Sequence, residues 1–101
     1  MTELVWTLGA EADVQSLYER LEDWEEGSGD HFYAEVLSAV AILQAWPKIG
    51  PIVHGGKVRR VLVFNRNYGV FYVVEDRGII LHALLDLRQD PDEIRRRLRR
   101  V

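Results

Sequence analysis

The chain has 101 residues, 48% of them hydrophobic, with three Trp, four Tyr and three Phe. This is enough apolar material for one small core and too much for a disordered tail. The absence of cysteine excludes a disulfide framework and a thiolate metal site. A net charge of −3 and a pI near 5.6 argue against nucleic acid as the main partner. No apolar run approaches the ~20 residues that span a bilayer, and the N-terminus lacks a signal-peptide pattern. The expectation is a cytoplasmic protein with no membrane association and a single domain, residues 1–101. The charge is unevenly spread: residues 1–50 carry ten acids and two bases (−8), residues 51–101 six acids and eleven bases (+5). Such a split suggests a molecule with two different faces.

"LVWTL" (4–8) reads as a short strand. In "EADVQSLYERLEDWEE" (11–26), Val14, Leu17, Tyr18 and Leu21 recur at helical spacing, which predicts an amphipathic helix. "GSG" (27–29) breaks it, and Asp30 is suited to cap a second helix. That helix carries Tyr33, Val36, Leu37, Val40 and Leu43 as its apolar stripe and stops at "AWPKIG", where Pro47 cannot continue it. Two helices so closely joined predict a helical hairpin.

The period then changes from helical to alternating. "KVRRVLVF" (57–64), "YGVFYVVE" (68–75) and "GIILHALLDL" (78–87) are rich in β-branched and aromatic residues, with "NRN" (65–67) and "DRG" (76–78) as turns. Links this short make the three strands antiparallel neighbours. The middle one is apolar on both faces, as a covered central strand is. In "DPDEIRRRL", Asp90 is a good N-cap, Pro91 suits the first helical position and Glu93 stands where a capping-box acid belongs. Ile94, Leu98 and Val101 give this last helix a thin apolar stripe. The fold class is therefore α+β, in the order β-α-α-β-β-β-α. An N-terminal strand and a helical hairpin pack on a small antiparallel sheet, and a short helix follows at the C-terminus.

In this order and spacing, "WPKIG", "KVRRVLVF" and "NYGVFYVVEDRGIILHALLDLRQDP" resemble the RelE/ParE superfamily of type II toxin–antitoxin toxins, over nearly the whole chain. Arg66-Asn67 stand where many relatives have Phe-Pro. The resemblance implies a bacterial growth inhibitor, of the kind tied to plasmid stabilisation, that is neutralised by a cognate antitoxin and uses no cofactor and no metal. Within the superfamily, RelE-like members cleave mRNA on the ribosome, whereas ParE-like members inhibit DNA gyrase.

Metal-free RNA cleavage needs a group to activate the 2′-OH, a cation for the pentavalent phosphate and a proton for the leaving oxygen. Arginine suits only the second task, since it stays protonated near neutrality. By the resemblance, a nuclease here would use Arg60 and Arg88, and His82 is the residue that could replace a lost acid–base group. His82 falls on the face of Leu84, Asp86 and Arg88 if alternation is unbroken. Two positions depart from a cutting relative: Gly69 replaces an arginine, and Ile94 replaces a C-terminal tyrosine. The ParE-like branch is thus favoured over a ribosome-dependent ribonuclease and over a non-toxic antitoxin-binding relative. Arg59, Arg60, Arg66, Arg88 and Arg95 are the candidate target contacts. Tyr18, Trp24 and Trp46 are the candidate antitoxin anchors, although each is also suited to the core. The run Arg95, Arg96, Arg97, Arg99 and Arg100 reads either as a contact surface or as a solvated helix face that complements the helix dipole.

Overall fold

The alternation and spacing above produce eight elements in a computed structural model that describes residues 1–101. They are β1 (Leu4–Trp6), α1 (Leu8–Trp24), α2 (Ser28–Ala45), β2 (Ile52–His54), β3 (Val58–Val63), β4 (Tyr68–Glu75), β5 (Gly78–Asp86) and α3 (Pro91–Leu98). The expected order holds, with one short strand, β2, added between Pro51 and Gly55. A three-residue strand between turn formers carries too little periodicity to be read in sequence. The sheet order is β1-β5-β4-β3-β2. β1 lies parallel to β5 and every other pairing is antiparallel. No helix is long and apolar enough to cross a membrane.

The helical hairpin covers one face. Val14, Leu17 and Leu21 of α1 meet Val63, Val70, Tyr72, Leu81 and Leu84 of the sheet. α2 presents Phe32, Val36, Ala39 and Leu43 to this core, while Tyr33 and Leu37 of the expected stripe face outward. The helix starts earlier than Asp30 because its cap comes from α1. The Glu22 carboxylate accepts from the N–H groups of Gly27, Gly29 and Asp30 at 2.8–3.2 Å. It thereby satisfies donors that a local cap would serve. A Cβ on Gly29 would stand 2.7 Å from the Tyr18 carbonyl, so glycine permits this close approach.

β4 is buried on both faces from Tyr68 to Val73, as its uniform apolarity predicts. Across its second face α3 packs Leu98, Ile94 and Val101 on Val58, Phe71, Val73, Ala83 and Leu85. Asp90 caps α3 by accepting from the Asp92 N–H at 2.9 Å, and Pro91 opens it.

Candidate functional site

Arg88 follows the end of β5 and turns its guanidinium back toward the hairpin side. It donates to both Asp86 oxygens at 3.0 Å and to the Tyr68 hydroxyl at 2.9 Å, and it lies over the Tyr68 ring. These hydrogen bonds hold the Asp86 carboxyl below its ordinary pKa. Tyr68 belongs to an aromatic group with Phe32, Phe64 and His31, whose rings meet mostly edge to face. Phe64, Asn65 and Arg66 are three successive residues in left-handed backbone, with φ of 50, 59 and 65°. Asparagine tolerates this region, whereas phenylalanine and arginine enter it at a cost. The Glu35 carboxylate holds the strained turn by accepting from the Phe64 N–H at 2.8 Å. Arg20, Trp24, Phe64, Asn67 and Arg88 help to line a cleft of about 650 Å³ between this turn and the hairpin. Trp24, a candidate antitoxin anchor that is also suited to the core, is 74% exposed at its rim.

Arg60 does not join Arg88. It pairs opposite Phe71 on β4, so its side chain lies on the α3 face of the sheet, whereas Arg88 sits with Tyr68 on the hairpin face. Its shaft crosses Gly69, where an added Cβ would meet Phe71 at 2.9 Å, Arg60 Cδ at 3.1 Å and Leu87 at 3.2 Å. The position at which a cutting relative keeps an arginine is therefore filled by neighbours. Its buried Nε has no hydrogen-bond partner. Ile94 packs on the second apolar cluster.

His82 also departs from the expected alignment. A bulge opposite Phe71 and Tyr72 breaks the alternation, so that Leu81 and Leu84 both face the hairpin, and His82 does not share their face. Burial pulls the His82 pKa below its ordinary value. The unfolded chain accordingly takes up this proton first, at about pH 6.5. The His82 contribution is present in full above that pH and is lost as pH falls toward the lower folded-state value. A urea-midpoint series from pH 7.5 to 5.5 is expected to fall less steeply in His82→Gln than in the parent chain.

Arg59 turns to the hairpin face and donates to the Lys48 and Gly50 carbonyls at 3.2 and 2.7 Å, bracing the segment after α2. Arg66 is exposed in the strained turn. Arg95 pairs with Asp92 and Arg96 with Glu93 along exposed α3. Arg97 leaves the run: it forms a bidentate pair with Asp13 of α1 at 2.9 and 2.7 Å. Tyr18 donates to Asp30 at 2.5 Å, which pushes its hydroxyl pKa up to about 12. Together with Trp6, Val14 and Tyr33 it lines a second cleft, of about 600 Å³. Trp46 is 67% exposed beside Ile49, away from Tyr18 and Trp24. Sequence reading passed over Asp13, Glu22 and Glu35, because an acid on a helix looks like solvated surface until its partner from another element is known.

A solved structure described as the chromosomal ParDE TA system from P. aeruginosa has the same fold. Its TM-score is 0.76 at 19% identity, covering 87% of this chain and 98% of that one. No curated protein matches the chain as a relative. Residues 4–99 match the family described as ParE toxin of type II toxin-antitoxin system, parDE. The chain belongs to this family of ParE toxins.

Proposed function

We propose that this chain arrests bacterial growth by binding DNA gyrase in the cytoplasm, that a cognate antitoxin neutralises it, and that it does not cleave mRNA. The observation that supports the non-nucleolytic reading is the separation of Arg60 and Arg88 onto opposite faces of one sheet. Side chains that leave opposite faces are poorly placed to grip one phosphate together. His82, moreover, lies on neither a shared face nor a shared cleft with Arg88. Arg88 serves instead as an exposed cation held in a fixed direction at the rim of an aromatic cleft, a suitable anchor for a protein surface.

Induced expression is expected to stop growth, and purified protein to block gyrase supercoiling, with no new cuts in primer extension on bulk mRNA. Codon-periodic cuts would reverse the assignment in favour of a ribosome-dependent ribonuclease, and unaffected growth would make the chain a non-toxic antitoxin-binding relative. Arg88→Ala is expected to relieve the arrest with a Tm change of only a few degrees. Exposed ion pairs contribute about 0.2–1 kcal/mol, so loss of toxicity would reflect a lost contact rather than unfolding.

A further inference from the structure

The turn between β3 and β4 is built at a cost that its length does not require. Residues 64–67 join Val63 to Tyr68, which are paired across the hairpin. Loops of this length are ordinarily closed around a type I turn, in backbone that most residues adopt freely. Here three successive residues are left-handed and none is glycine. The surroundings hold them there. Glu35 uses both carboxylate oxygens: Oε1 accepts from the Phe64 N–H at 2.8 Å, and Oε2 meets His31 Nε2 at 3.2 Å. The His31 and Phe32 rings stand edge to face with Phe64, at centroid distances of 5.4 and 5.9 Å. All three bracing residues belong to α2, so the helix sets the shape of the turn. Strain that persists because its surroundings over-determine it clusters at binding and switch sites.

The core does not explain the strain, since Asn65 and Arg66 are both exposed. The location does. Asn65 and Asn67 line the cleft that Trp24 and Arg88 also line. Arg66 leaves the chain between these two asparagines and forms no ion pair, and Arg20 in the same cleft forms none either. Free cations on a braced turn fit an acidic protein surface, and the bracing lowers the ordering cost of the contact. We infer that the turn 64–67 is a preset contact for an acidic patch on the toxin's target, made through Arg66, and that Glu35 is the positioning residue that keeps the turn in its strained form. This rests on the reading that the chain binds a target protein through the Arg88 cleft, and it adds a second contact and the chemistry of the target's surface.

The test measures Tm and the concentration of purified full chain that half-inhibits gyrase supercoiling, variant by variant. Arg66→Gly is expected to raise Tm, because glycine takes a φ of 65° freely, and yet to weaken inhibition about tenfold. Arg66→Glu is expected to weaken it further, and Arg66→Lys to recover most of the loss. Asn65→Gly keeps Arg66 but loosens the turn, and is expected to weaken inhibition without lowering Tm. Glu35→Ala is expected to weaken inhibition while the chain stays folded, and Glu35→Gln, which retains an acceptor for the Phe64 N–H, to restore most of it. The glycine variants decide the matter if Glu35→Ala does not fold. Full inhibition by Arg66→Glu, full inhibition by Asn65→Gly, a lowered Tm in Arg66→Gly, or equal losses in Glu35→Gln and Glu35→Ala would each overturn the inference. A parent chain that arrests growth without touching gyrase rejects gyrase as the target alone, and the same variants are then scored on growth arrest with the same expected order.

Discussion

Asp13→Ala is expected to lower Tm by roughly 10–20 °C, measured by circular dichroism or calorimetry. β1 covers the outer edge of β5 only as far as Leu81. Beyond it, Thr7 accounts for the Leu81 and His82 carbonyls, and the Asp13 carboxylate accepts from the Leu84 N–H at 3.0 Å. The same carboxylate, 14% exposed, holds Arg97. α1 and α3 lie on opposite faces of the sheet, so Asp13 clamps one to the other around its edge. Alanine leaves a backbone donor and a half-buried guanidinium without partners, at about 2–3 kcal/mol. For a domain of this size that converts to the stated shift. Arg97→Ala is expected to cost less, since Asp13 keeps the Leu84 N–H. A double-mutant cycle should return a coupling of about 1–2 kcal/mol. Independent, additive effects would show that the clamp carries no energy.

Gly50→Ala is expected to be comparably damaging. A Cβ there would lie 2.6 Å from the Arg60 carbonyl oxygen and 2.8 Å from the Tyr72 hydroxyl. The Gly50 N–H donates to that hydroxyl at 3.0 Å, and Tyr72 is fully buried. Neither backbone nor a buried ring yields easily, so overpacking should cost about 3 kcal/mol. The strain falls where β2 joins β3. The variant is therefore expected to lose hydrogen-exchange protection first at the Arg60 amide, whose acceptor is the Pro51 carbonyl. Uniform protection loss across the sheet would contradict this local account.

The order of elements could be read in the sequence because each long element carries its own period. β4 shows it most plainly: eight residues, apolar on both sides, could only be a covered central strand. The α3 cap was legible for a similar reason, since Asp90 and Pro91 act on neighbours in the chain. What escaped was set by partners distant in sequence. Spacing alone allows either Tyr33 and Leu37 or Phe32 and Ala39 on the inward face of α2, and only the sheet beneath decides between them. The five C-terminal arginines looked alike, yet Arg97 alone reaches across 84 positions to Asp13. Simple alternation puts His82 on the wrong face, because one bulge reverses it without changing composition. The resemblance groups Arg60 with Arg88, and only strand register separates them.

The Glu22 cap has a bearing on how the chain assembles. Every contact that shapes the turn between α1 and α2 spans at most twelve residues, from Tyr18 to Asp30. Such short loops close rapidly and at small entropic cost. As synthesis proceeds from the N-terminus, the helical pair can acquire its bend before any strand beyond β1 has been made. The later sheet then meets a turn whose shape needs none of its strands.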